Sequence, residues 1–303
     1  MHSLTDFITE MPWDDIALVL YVHVDEAYRV LVEEYGPPRT RGQRPEMSDS
    51  EVITCTVLCE MFFRGDEERF CHFLDQYMRH LFPRQLDRSH FNRRRRALTL
   101  AIEYIRRLWR DWLLPKEEDV RLLDSAPVPI CTYARSNRCQ TVRGAEFCGH
   151  IFSKKAKFFG FRLHATVTPD QLIDEWLLAP ASVHDVRLAP ELLAQEAQIT
   201  VIGDAAYTSA PLEQALWDEA MIQLLPLRNP RERRQWDAHV RRLLIRARMR
   251  VETAFSQLTT VFDLGLTGAR SLLGVVNRVA SKILAHTFCF VWHRVGAPLF
   301  TRT

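Results

Sequence analysis

Two apolar runs in this chain lead into an aspartate. "VRLLDSAPVPIC" (residues 120–131) carries Asp124, and "ITVIGDAAY" (199–207) carries Asp204. Both runs read as buried strands, and the carboxyl edge of an α/β sheet is where ligands bind. Carboxylates on neighbouring strand ends repel each other, a cost that a cation between them removes. A third acid, Glu252, is the only one between Asp237 and Asp263. It flanks the helical stripe Leu244, Ala247, Val251, Ala254 and Leu258, one turn after Arg248. Beside a core in an arginine-rich helix it needs compensation, from Arg248 or from a metal. Three carboxylates without histidine or cysteine select the hard cations Mg²⁺ or Mn²⁺, and two such ions support phosphodiester chemistry. Either aspartate alone is better explained as a turn former or a helix cap. Both together, with the glutamate, make coincidence the weaker account.

The elements that must bring these residues together follow from periodicity. After Pro115 the pattern predicts strands over 120–131, 158–168 and 173–183, a helix over 184–196, a strand over 199–207, a helix over 209–220, a strand over 221–227 and a long helix from about 237 to 262. That order is α/β, with three hairpin-joined strands first. The first third is helical instead. Helices are predicted over 13–36, over 48–63 behind a capping box of Ser48 and Glu51, over 66–81, and over 89–113 with Ser89 as cap. The resulting division is a helical N-terminal domain, 1–115, and an α/β domain, 116–295.

Charge is distributed unevenly. The net charge is only +2, yet just five of the 40 basic residues are lysine, and arginine is the side chain that forks onto phosphate. Residues 84–110 and 228–250 each hold nine arginines against two acids. The first run includes Arg93, Arg94, Arg95 and Arg96, at the start of a helix that reads as the recognition helix of a helix-turn-helix. A helical cap with a solvated basic face reads equally well. Lys154, Lys155 and Lys157 lie in a basic loop near Asp124, suited to holding phosphates. Seven scattered cysteines and the lack of a long apolar run point to a cytoplasmic protein with no membrane partner.

With these residues in place, the chain resembles insertion-sequence transposases of the DDE type, most closely those of the insertion sequence 982 family. "LLDSAPVPIC", "FGFRLHATVTPDQLIDEWLLAPASVHD", "VIGDAAYTS" and "RVETAFSQL" carry the resemblance, which extends over essentially the whole length. It implies a ribonuclease-H-like mixed sheet flanked by helices, preceded by a helical DNA-binding domain. It makes Asp124, Asp204 and Glu252 the catalytic, metal-binding triad, with Arg248 the arginine one turn before the glutamate. It also implies double-stranded DNA as partner, two Mg²⁺ or Mn²⁺ ions as cofactors, and a homodimer when two element ends are paired. Ile245 and Thr259 depart from the tyrosine and lysine that flank the glutamate in related transposases, and Ala205 from a lysine after the second aspartate.

Other candidates weigh less. Cys131, Cys139, Cys148 and His150 are too widely spaced for a zinc site and read as packing or loop residues. His184 and Asp185 precede a helix and read as caps. Trp236, beside Arg233 and Arg234, could stack on a base. The expected activity is cleavage at the terminal repeats of a mobile element, followed by transfer of the 3′-hydroxyl to target DNA. The competing accounts are a nuclease that cuts without joining, and a DNA-binding regulator in which the triad is structural.

Overall fold

A computed structural model describes residues 11–37, 45–115, 118–151 and 155–299. In chain order its elements are α1 (Trp13–Tyr35), α2 (Asp49–Phe63), α3 (Glu67–Tyr77), α4 (Arg88–Ala97), α5 (Thr99–Leu113), β1 (Val120–Thr132), β2 (Cys148–Ile151), β3 (Ala156–Val167), β4 (Ile173–Pro180), α6 (Ala189–Leu192), β5 (Thr200–Gly203), α7 (Ala210–Ala220), β6 (Gln223–Pro226), α8 (Ala238–Thr260) and α9 (Leu272–Leu299). They form two compact units. No helix among the described residues is long and apolar enough to cross a membrane.

One unit is helical: residues 1–113, 260–264 and 272–303. The capping box at Ser48 forms as predicted, its hydroxyl accepting from Glu51 N–H at 3.1 Å while Glu51 accepts from Ser48 N–H at 2.6 Å. The single helix expected over 89–113 is instead α4 and α5, parted at Leu98. Here the Leu98 N–H is shared between the Arg94 and Arg95 carbonyls, and Thr99 Oγ1 donates to the Arg96 carbonyl. The cap is Asp87, which accepts from the N–H groups of Ser89 and His90; Ser89 is not the cap.

The helical unit also takes in α9, which the expected division at residue 116 had left with the sheet. The physical reason is in its side chains. Val275, Val279, Ile283, Leu284 and Phe288 are all fully buried, and so are the polar Asn277, Ser281, Lys282, His286 and Thr287 between them, so the helix is enclosed nearly all round. Between them it supplies counter-ions to the acids of α2 and α3. Lys282 Nζ lies 2.8 Å from Glu60, and Arg278 Nη2 lies 2.7 Å from Glu67. Arg95 completes the network at 2.6 Å from Glu60 and 3.1 Å from Glu67, and its Nε donates to Asn277. Burial alone would raise the Glu60 carboxyl, but Lys282, Arg95 and Arg278 outweigh it and hold the group at about 2.

The other unit, 114–259 with 265–271, is built on a six-stranded mixed sheet. Its order is β2, β3, β1, β5, β6, with β4 also on β3. β1 is antiparallel to β3 and parallel to β5, and β5 is parallel to β6. The predicted strands are all present. β2 was not predicted, because four half-buried residues with a glycine among them carry no alternation. The helix expected over 184–196 shrinks to a 3₁₀ turn at Asp185–Arg187 and the four-residue α6, since Pro190 has no N–H to extend it backwards. Leu123, Val201, Tyr207, Leu216 and Leu224 form a core with α6 residues Ala189 and Leu192 on one face of the sheet.

The prolines of β1 have a defined place. β5 pairs only with Val120–Leu123, and from Asp124 onward β1 has β3 as its one partner. Pro127 and Pro129 therefore stand in the part of the strand with one neighbour, where a missing N–H costs no ladder bond.

Candidate active site

β1 and β5 run parallel with Leu123 opposite Gly203, the last pair of their ladder. Asp124 and Asp204 are the next residues, so the parallel register brings both acids to the carboxyl end of β5, Asp204 just past it and Asp124 within β1, which runs on to Thr132 rather than ending at the acid. The Asp124 carboxylate accepts from the Ser125 N–H at 2.8 Å, and the Asp204 carboxylate accepts from the Ala206 N–H at 2.8 Å. Asp204 therefore also forms the turn that a strand-end aspartate commonly forms. Burial, helped by the charges of Asp204 and Asp185, pushes the Asp124 carboxyl up to about 7, against the pull of the Ser125 N–H and Arg248.

Glu252 sits on α8, whose buried stripe is Leu244, Val251, Ala254, Phe255 and Leu258. Its side chain is 58% exposed and pairs with Arg248, Oε1 to Nε 3.4 Å. Arg248 is thus in place as a counter-charge for this glutamate. Among the described residues no group of three or more His, Cys, Asp or Glu side chains is gathered closely enough to hold a metal ion. The two aspartates are thus brought together by the sheet, while Glu252 is directed to its helical neighbour. The charge of Arg248 is also felt by the Asp124 carboxyl, which it pulls down. The donor chemistry, all hard oxygen, fits a divalent cation of the Mg²⁺ class.

Four further polar residues lie at this edge: Asp185, Arg162, His164 and Tyr207. Asp185 accepts from Ser125 Oγ at 3.2 Å, and Arg162 Nη1 lies 3.4 Å from the same hydroxyl. His164 Nδ1 is 3.3 Å from Asp185 Oδ1. Burial, and next Arg162, lowers His164 to about 4, so at neutral pH this contact is not an ion pair. Tyr207 is fully buried, its hydroxyl without a partner, and burial together with Asp185, Asp124 and Asp204 raises it well above its ordinary value. The sequence offered one signal for this group: Arg162 and His164 are polar residues in the otherwise apolar strand "FFGFRLHATV". Of the two residues read as caps, His184 stands at the cap position but its side chain makes no cap bond, and Asp185 is the first residue of the turn itself, its side chain accepting from Ser125 instead.

The expected DNA contacts divide. Arg95 is fully buried and spent on Glu60, Glu67 and Asn277, so it is withdrawn from any phosphate role. Arg94 is 13% exposed and holds Asp49 and the Met47 carbonyl. Arg93 is exposed and Arg96 half-buried. The arginine run is thus partly an internal counter-charge, which an exposed-face reading could not anticipate. Lys155 is exposed, and Lys157 belongs to β3 rather than to a loop, its Nζ 5.3 Å over the Tyr133 ring. Lys154 lies outside the described residues. Trp236 has Arg228 5.0 Å over its ring, and its indole N–H donates to the Pro226 carbonyl.

A family model described as "Transposase DDE domain" matches residues 115–288. No curated protein and no solved structure matches the chain.

Proposed function

Because the chain belongs to the transposase DDE domain family, we propose that Asp124, Asp204 and Glu252 are its catalytic triad. In this reading it cleaves DNA at the terminal inverted repeats of an insertion sequence and joins the freed 3′-hydroxyl ends to target DNA. The observation that carries the reading is the parallel register of β1 and β5, which sets Asp124 and Asp204 side by side one residue past Leu123 and Gly203. Membership of the insertion sequence 982 family is part of the same proposal, on the motifs around the three acids.

Asp124 and Asp204 would hold the divalent cation, and Glu252 would complete its ligation once released from Arg248. Its 58% exposure leaves it room to turn. Two bound Mg²⁺ or Mn²⁺ ions would activate the attacking oxygen and stabilise the leaving one. Ser125 N–H orients the Asp124 carboxyl, which burial holds at about 7, so its proton would have to leave for the group to serve as a ligand. Arg248, freed from Glu252, would take a phosphate oxygen. Exposed basic residues, Arg93, Lys155 and Lys157 among them, would bind the DNA backbone, so affinity should fall steeply with salt. Lys154, Arg94 and Arg96 belong to the same proposal. The helical unit would serve as the DNA-binding domain, a homodimer would pair the two element ends, and the cytoplasm is the place of action.

The test is incubation of the purified protein with Mn²⁺ and DNA carrying the flanking repeats. Asp124→Asn is expected to abolish nicking at the repeat boundary while leaving DNA binding intact. Cleavage retained by this variant overturns the assignment. Nicks without joined products would make the protein a nuclease, and binding with neither would make it a regulator.

A further inference from the structure

Behind the two aspartates lies a second layer that the triad does not explain. Ser125 and His164 are direct cross-strand partners, and Pro127 is opposite Arg162, so these side chains share one face of the sheet. It is the face of Leu123 and Leu177, under the small core with α6 and Tyr207. Strand alternation sends Asp124 to the opposite face.

Ser125 connects the two sides. Its hydroxyl lies 3.2 Å from Asp185 and 3.4 Å from Arg162, while its N–H donates at 2.8 Å to Asp124 on the other face. We propose that Asp185 is a positioning residue for the catalytic site, fixing the Ser125 peptide from behind the sheet so that its N–H holds the Asp124 carboxylate in the orientation a divalent cation requires. The proposal rests on the triad reading above.

Two independent features single out Asp185 from an ordinary loop acid. Its side chain is 16% exposed and sits beside His164, which is fully buried with neither ring nitrogen hydrogen-bonded. The orphan hydroxyl of Tyr207 is buried in the same place, its ring packed under Gly203 so closely that a Cβ there would lie 2.9 Å from it. Native proteins rarely leave three such polar atoms buried without partners unless the position has a task. A second layer that orients ligating carboxylates is one such task.

The experiment measures Mn²⁺ binding to the full-length protein by titration calorimetry, alongside thermal melting. Asp185→Asn and Ser125→Ala are each expected to weaken Mn²⁺ binding by about ten- to a hundredfold. The double variant should be no weaker than either single one, because both break the same link. Ser125→Thr, which keeps the hydroxyl, should restore binding. If Asp185→Asn melts too early to be measured, the Ser125→Ala and Ser125→Thr pair decides alone. Wild-type affinity in Ser125→Ala or Asp185→Asn, or additive losses in the double variant, overturns the inference. Asp124→Asn separates the two levels: if it alone loses Mn²⁺, the triad reading survives and the role of Asp185 falls. If Asp124→Asn binds Mn²⁺ normally, both fall.

Discussion

Asp124 is an acid held in its neutral form well above the ordinary range for its type, chiefly by burial and next by the carboxylates around it. An unfolded aspartate ionises near 3.9, whereas here the value is about 7. The folded state therefore binds the extra proton between those two values. The stability this contributes is full below about pH 4 and is lost as pH rises through 7. In chelator, the melting temperature should decline between pH 5 and pH 8, and Asp124→Asn should flatten that slope; equal slopes in both proteins would count against the account. Legibility at this scale followed chemistry type. Asp124 and Asp204 could be found because a charge directly after an apolar run is conspicuous, although β1 itself continues past Asp124 to Thr132. Arg95 was misread because a charge on a helix carries no sign in the sequence of which way it faces. Its partners, Glu60, Glu67 and Asn277, come from three different helices.

Among the elements, β1 does the most positioning. Its first four residues fix the parallel register with β5, and its remainder bends over β3 through a bulge between Pro129 and Cys131. Gly160 lies opposite that bulge. A Cβ there would stand 2.4 Å from the Val128 carbonyl oxygen and 2.7 Å from the Ile130 nitrogen, both backbone atoms that cannot turn aside. Gly160→Ala should therefore destabilise the protein by about 1–3 kcal/mol, the usual cost of overpacking. Chemical denaturation measures this directly, and an unchanged midpoint would show that the strands slide apart without penalty. The strands and the α8 stripe were visible in the sequence through their periods of two and 3.6. The bulge and β2 were not, because each depends on what lies across the sheet, whereas the shortening of α6 traces to Pro190, a helix breaker that the sequence does display.

The whole molecule departs furthest from what a linear reading supplies. Helices at the two ends of the chain make one unit, joined by the buried charges of Glu60, Glu67, Arg95, Arg278 and Lys282. Periodicity locates helices but says nothing of which ones meet, so this pairing was out of reach. Removing α9 would leave Glu60 and Glu67 short of buried partners, a large penalty. A chain ending at Ser271 should lose protease resistance and helical circular dichroism within residues 13–113; protection equal to that of the full chain would contradict the shared core. The discontinuity also dictates a timetable for biosynthesis. Glu60 and Lys282 are 222 residues apart, which at ribosomal speeds of about 5–20 residues per second separates their emergence by roughly 10 to 45 seconds. Through that interval the early helices wait with a buried acid lacking its ammonium partner.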